Sequence, residues 1–490
     1  MRTQVFIAAL MGVTSVFATD GVRYKDRLFE VSPAKTVMVA DEVPTMDKSN
    51  FSILSTLMQQ LKMEDNMMYF YESERMVREP VVMDIYQPVN DRSKDRPVVL
   101  ICHGGAFVAS SKDDFNQKSV AYADSLAARG FVTASLEYRQ GVVMTGNGFP
   151  FHIDSVDFAR TLYRGAQDLH AAIRYLRLNA QAYGINPKKI YVLGNSAGAM
   201  LALENIYAQK KSDFPAYLNS KEQYILEDYG KVTVPLGALN EYGARDYNGV
   251  ANGVVALWGG IHDIELVKNS KAPVFLAHGD SDYVMPYYVG HAMSDPERMI
   301  DGTVPEKYAP YVHLFQFDIQ TPTIYGSYAI DSALTARGVP HEFYNPVEYG
   351  LKHEFYNSTR TAEDGSKIVF ADSVQDKAFN FLYKLATDSY GKTETVVALQ
   401  KSAAPSDFGG VKSAAPAAAK VAKIAMGEKN LSFTVIEGEN VAYGVFDLKG
   451  KKVMAGRASR GETVSLEAVA VGQYFLKVQG EGTRRISVTR

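Results

Sequence analysis

Gly194-Asn195-Ser196-Ala197-Gly198 sets a serine between an apolar run, Lys189 to Leu193, and a small-residue stretch, Ala199 to Leu203. A serine hydroxyl near neutral pH is a poor nucleophile until a positioned base takes its proton. The flanking glycines allow a turn tight enough to hold that hydroxyl out above a sheet, beside the first turn of a helix. The base is usually a histidine, which in turn needs a carboxylate to fix its tautomer. The acid and the histidine are expected downstream, in the order Ser, Asp, His.

Pro273 to Ala277 reads as a strand and delivers His278-Gly279-Asp280-Ser281-Asp282 to the loop at its end. Asp282, just before Val284-Met285-Pro286, is the expected acid, and Asp280 is the competitor. Two histidines begin the same phrase: His341-Glu342-Phe343-Tyr344-Asn345 and His353-Glu354-Phe355-Tyr356-Asn357. His341 falls within a strand, whereas His353 follows the turn after it, so His353 is the expected base. Neither phrase is a His-Glu-x-x-His zinc motif, because asparagine stands where the second histidine belongs. No metal or other cofactor is expected.

The elements that must position these residues alternate strand and helix. Strands are expected at Val81 to Tyr86, Val98 to Cys102, Phe131 to Leu136, Gly253 to Trp258 and Pro340 to Tyr344, besides the two already named. Helices are expected at Ser119 to Arg129, Gly165 to Asn179, Tyr325 to Arg337 and Asp372 to Thr387. Residues 140–163 and 283–323 read as irregular insertions. This order implies an α/β fold with a mostly parallel, doubly wound sheet. Asn50 to Met63 has helical spacing within an N-terminal extension expected to pack on the main domain. The lone Cys102 sits in an apolar run and is expected to be a core residue.

The phrases RPVVLICHGGAF, ADSLAARGFVTASLEYR, KKIYVLGNSAGA and FLAHGDSDYVMPY resemble the α/β-hydrolase superfamily, specifically carboxylesterases with a His-Gly-Gly-x-Phe motif. The likeness is closest to secreted acetylxylan and feruloyl esterases. It implies an oxyanion hole from the N–H groups of Gly105, Ala106 and Ala197, with Ala106 standing where the family has a third glycine.

Composition and charge frame the rest. The chain opens with Arg2 and an uncharged run to Ala18, with Val16 and Ala18 suited to a signal-peptidase site, so export to the cell surface or medium is expected. No later stretch reaches a membrane span, and no stable membrane insertion is expected. Residues 401–490 hold 14 Lys/Arg against 8 Asp/Glu, which leaves residues 19–400 at −10 within a whole-chain charge of −3. So acidic a main region argues against a nucleic-acid substrate. The expected division is a leader at 1–18, an extension at 19–74, a catalytic domain at 75–388, an Ala/Pro/Lys-rich linker at 389–430 and a small β-sandwich at 431–490. VFDLKGKKVMAG and the final strands resemble type IX secretion sorting domains, which implies secretion machinery as a partner.

The combined reading is a serine carboxylic ester hydrolase removing acetyl or feruloyl groups from plant polysaccharide. The substrate expected is an acylated carbohydrate or phenolic ester. The alternatives are a lipase or general carboxylesterase, a serine exopeptidase using Glu137, Glu204 or Asp154 to hold an amine, and a non-enzymatic binding fold. Phe149, Phe151, Tyr283, Tyr287 and Tyr288 are candidates for stacking on a sugar or aromatic acyl group, against the plainer reading of core packing.

Overall fold

The structure is a computed structural model. It describes residues 21–391 apart from 53–54, 57–68, 114–117, 145–150, 295–316, 356–357 and 362–366. Beyond these it describes 423–426, 432–437, 441–447, 452–466, 469–470, 472–478 and 482–488. The expected leader, most of the linker and most of the helix expected from Asn50 lie outside the described residues.

Ten strands form the central sheet: β1 (Lys35–Met46), β2 (Arg75–Tyr86), β3 (Arg96–Cys102), β4 (Val132–Glu137), β5 (Ile185–Asn195), β6 (Gln223–Glu227), β7 (Gly230–Val234), β8 (Gly253–Leu257), β9 (Val274–Ala277) and β10 (His341–Tyr344). Their order is β7-β6-β2-β4-β3-β5-β8-β9-β10, with β1 also on β2. The block from β4 to β10 is parallel throughout. At its margin β2 is antiparallel to both β4 and β1. Thus the stretch before residue 75, expected as a packed extension, contributes a strand to the sheet itself.

Among the described residues, five helices longer than two turns cover the sheet: α1 (Ser119–Ala127), α2 (Ser155–Leu178), α3 (Ala197–Tyr207), α4 (Ser327–Ala336) and α5 (Phe370–Ala386). Alternate residues of each parallel strand point to opposite faces. Val98, Leu100 and Cys102 of β3 pack with α2, α3 and α4, while Val99 and Ile101 pack with α1 and α5. Both faces are therefore dry, and each fully buried aliphatic side chain contributes roughly 1.5–3 kcal/mol. This is the α/β-hydrolase arrangement, a mixed sheet with helices on both sides. Cys102 is fully buried within it, and burial pushes its thiol pKa far up.

Two expectations shift. α2 starts at Ser155 rather than Gly165, with the Asp154 side chain accepting from the Asp157 N–H at the cap. The helical period is hidden there because Arg160 and Arg164 occupy buried positions. Both pair with the buried Glu74, at 2.7 and 2.9 Å. Residues 283–323 carry two short strands, Val289–His291 and Phe317–Ile319, and α4 is preceded by a third, Thr323–Gly326. From residue 423, inside the stretch expected as a linker, the described strands form two antiparallel sheets. One holds Lys423–Met426, Ser432–Glu437 and Thr463–Ser465. The other holds Val441–Asp447, Lys452–Ala458, Gly472–Val478 and Gly482–Val488.

α3 is anchored from below by a buried ion pair. His262 donates from Nδ1 to Glu204 Oε1 at 2.8 Å and from Nε2 to the Asp213 carbonyl at 2.9 Å. Both ring nitrogens face acceptors, so both must carry hydrogen and the ring is an imidazolium. Burial alone would lower the His262 pKa, but the charge and hydrogen bond of Glu204 outweigh it and raise it from 6.5 to about 9. A pKa raised by folding gives stability that is complete below 6.5 and lost as pH rises through about 9. The gap in Tm between the native protein and His262→Gln is therefore expected to be large at pH 6 and to shrink by pH 10. An equal gap at both would contradict a charged pair.

Candidate active site

The turn between β5 and α3 is set by absent side chains. A Cβ on Gly194 would overlap the Gly198 carbonyl, and one on Gly198 would overlap the carbonyl oxygens of Cys102 and His103. Only glycine at both positions lets the first turn of α3 press against the end of β3. Ser196 between them adopts φ +52°, ψ −118°, a strained conformation for an L-residue, and its N–H donates to the Leu257 carbonyl at 2.9 Å. The strain is held by a surrounding core in which α3 is buried along its whole length.

Three of the residues expected to act together do converge. His353 Nδ1 lies 2.7 Å from Asp282 Oδ2, and its Nε2 lies 2.9 Å from Ser196 Oγ. A carboxylate only accepts, so Nδ1 carries the hydrogen and Nε2 is left to accept from the serine hydroxyl. Such a line can take the serine proton as the oxygen attacks. Asp282 is fully buried, and its Oδ1 also accepts from the N–H groups of Val284 and Met285, at 2.8 and 2.9 Å. Burial would raise its pKa, but the charge of His353 and the hydrogen bonds from His278 and His353 hold it well below the usual carboxylate range. Burial likewise opposes the charged form of His353, yet the Asp282 charge and hydrogen bond win and raise its pKa above 6.5.

The competing histidine lies elsewhere. His341 opens β10, at the end of the sheet away from Ser196, where it bonds Asp331 at 2.9 Å and the Val339 carbonyl at 2.8 Å. Of the two loop aspartates, it is Asp282 that meets His353.

The His103-Gly104-Gly105 turn leaves β3 beside Ser196. His103 stacks on Tyr138 at 4.3 Å, and the Tyr138 hydroxyl donates to the His103 carbonyl at 2.9 Å. Gly105, Ala106 and Phe107 all take positive φ, at 104°, 54° and 62°. Ala106 and Ala197 flank the same recess as Ser196, and Gly105 adjoins Ala106. Backbone N–H groups at such a turn and at a helix start can receive an anionic oxygen.

That recess is mainly apolar, walled by Phe107, Phe158, Met200, Val284, Met285 and Met293. The sequence did not single out Phe158, Met200 or Met293, since a methionine carries no chemical signature. The remaining candidates have other partners. Glu137 accepts from the Lys112 N–H at 2.9 Å, Asp154 pairs with Lys221 at 2.7 Å, and Glu204 holds His262. Tyr287 is buried against His278 and Phe343, and Tyr283 lies beneath the Lys352 ammonium at 5.5 Å. Among the described residues no cluster of His, Cys, Asp and Glu is disposed to hold a metal ion.

The chain thus has the α/β-hydrolase fold, with a hydrogen-bonded serine-histidine-aspartate line at the ends of its parallel strands. The family described as BD-FAE matches residues 83–295, a span that includes Ser196 and Asp282 and stops short of His353. Among curated proteins, the para-nitrobenzyl esterase of Bacillus subtilis is 30% identical over 132 residues, 27% of this chain and 25% of that protein. Carboxylesterase 3B of Mus musculus is 31% identical over 123 residues, 25% of this chain and 19% of that protein. The chain thus spans a quarter or less of the length of these relatives. Among solved structures, a Thermogutta terrifontis esterase covers 64% of this chain and 90% of its own, at 18% identity and TM-score 0.35. A truncated carbohydrate esterase from gut microbiota covers 62% and 90%, at 16% identity and TM-score 0.36.

The raised His353 pKa has a direct kinetic consequence. The ring accepts the serine proton only when neutral, so labelling of Ser196 by a fluorophosphonate is expected to rise with pH about a midpoint above 6.5. A midpoint below 6.5 would contradict the Asp282–His353 pairing.

Proposed function

We propose that the protein is a serine carboxylic ester hydrolase with Ser196 as nucleophile, His353 as general base and acid, and Asp282 as the carboxylate that orients the ring. The observation that carries this reading is the unbroken hydrogen-bonded line Ser196–His353–Asp282 at the strained turn before α3. Ser196 Oγ attacks the ester carbonyl carbon while its proton passes to His353 Nε2. The oxyanion is received by the N–H groups of Ala106 and Ala197, with Gly105 in the same loop. His353 then gives its proton to the departing alcohol, leaving an acyl-serine that water cleaves by the same steps in reverse order.

The acyl group is an acetyl. The recess beside Ser196 is small, and its mainly apolar walls suit a short acyl group such as acetyl. The exopeptidase reading loses support because Glu137, Asp154 and Glu204 are each engaged elsewhere. The alcohol is a plant polysaccharide, a reading supported by the acetylxylan-esterase-like phrases and by the leader-like first 18 residues. In the same reading the protein is exported, and the basic tail at 431–490 serves sorting through secretion machinery while the preceding 389–430 is a tether.

A panel of acetyl, butyryl, feruloyl and long-chain esters tests the assignment, with acetylated xylan as the polymeric substrate. Acetyl esters are expected to exceed butyryl esters in kcat/KM by about 10-fold or more, the scale on which a pocket resists added methylenes. Met285→Ala should narrow that gap by enlarging the recess. A higher kcat/KM on feruloyl esters would replace the acetyl reading, and one on long-chain esters would favour a lipase.

A further inference from the structure

Asp282 is held by two histidines. His278 Nε2 lies 3.0 Å from Asp282 Oδ2, the same oxygen that receives His353 Nδ1, and 3.3 Å from the Met285 carbonyl. Both neighbours of that nitrogen only accept, so Nε2 carries hydrogen and His278 is a donor to the carboxylate. Its other nitrogen, Nδ1, lies 2.9 Å from Ser327 Oγ, a hydroxyl that also lies 3.4 Å from the Gly259 carbonyl. The ring is wholly buried and edge-on to Tyr287 at 5.6 Å, and the backbone N–H of His278 donates to the Tyr344 carbonyl at 3.1 Å.

Ser327 is fixed in its turn. It is the first residue of α4, fully buried, and the Gly326 before it has no room for a Cβ against the Pro286 carbonyl. The Gly326 N–H donates to Tyr288 and the Tyr328 N–H to Tyr287, at 2.7 and 3.1 Å, which sutures the start of α4 to the loop carrying Asp282. The chain that leaves Asp282 thus comes back, 45 residues on, to brace the acid it left.

We propose that His278 is a positioning residue for this reaction. Backed by Ser327, it pins Asp282 Oδ2 where His353 Nδ1 must find it. Oδ1 is already fixed by the Val284 and Met285 N–H groups. Without His278 the carboxylate keeps those bonds but can pivot about them, and a buried anion short of a donor recruits another partner. His353 would then lose its orientation, although no atom of His278 touches Ser196 or a substrate. The inference rests on the Ser196–His353–Asp282 reading above.

His278→Gln keeps an N–H donor near the Nε2 position, while His278→Phe keeps the ring shape without one. Relative to the native protein, the Phe variant is expected to lose on the order of 10²-fold in kcat on an acetyl ester, with KM within about 3-fold. The Gln variant should recover to within about 10-fold of native kcat. The far-downfield proton signal of the His353–Asp282 hydrogen bond should persist in Gln and shift or vanish in Phe. Native kcat in His278→Phe would overturn the proposal, as would equal losses in both variants with the downfield signal unchanged. If the Phe variant does not fold, Ser327→Ala takes its place. A several-fold fall in kcat at unchanged KM would support the brace, and unchanged kcat would overturn it. A Ser196→Ala control separates the two levels: activity surviving there overturns the underlying reading, whereas its loss leaves His278 judged on its own variants.

Discussion

The site depends on how closely α3 approaches the end of β3. Backbone meets backbone there, with the Gly198 α-carbon against the Cys102 and His103 carbonyl oxygens, and no side chain fits between. That contact forces Ser196 into its positive-φ conformation and sets the helix start beside the His103–Phe107 turn. Strain of this kind costs of order 1–3 kcal/mol and persists only where the surroundings over-determine it. Here the six parallel strands and the wholly buried α3 supply that determination. Once the serine is placed, the loops after β9 and β10 bring Asp282 and His353 into line with it.

Four buried carboxylates are each held by basic side chains. Glu74 takes Arg160 and Arg164, Asp168 takes Arg139, and Glu204 takes His262. Asp282 takes two histidines and two backbone N–H groups. The first three fasten α2 and α3 to the sheet margins. The last does the same fastening at the site, so the arrangement that stabilises the loop also sets the direction of the His353 ring. This coupling is why the acid can be fully buried without being neutralised.

Much of this was legible in the sequence because the informative residues are local. Gly194 to Gly198, the His-Gly-Gly turn and the His278–Asp282 phrase each carry their geometry in a few consecutive positions. β3, β5, β8 and β9 show as apolar runs because both faces of a parallel strand are buried. What stayed hidden depends on distant partners. The first ten residues of α2 do not read as an amphipathic helix because Arg160 and Arg164 are inside, and only Glu74 explains them. β1 shows no clean alternation, with the two register shifts against β2 interrupting it. The His278–Ser327 contact joins residues 49 apart, and the recess draws side chains from four separate stretches of chain.

The central claim is that Ser196 becomes acylated through His353. Mass spectrometry of the protein quenched during turnover of an activated acetyl ester measures this directly. The account predicts one acetyl group on the peptide containing Ser196. It also predicts no adduct in Ser196→Ala, and acylation slower by on the order of 10⁴-fold in His353→Ala. An acetyl group on another residue, or turnover persisting in Ser196→Ala, would contradict it.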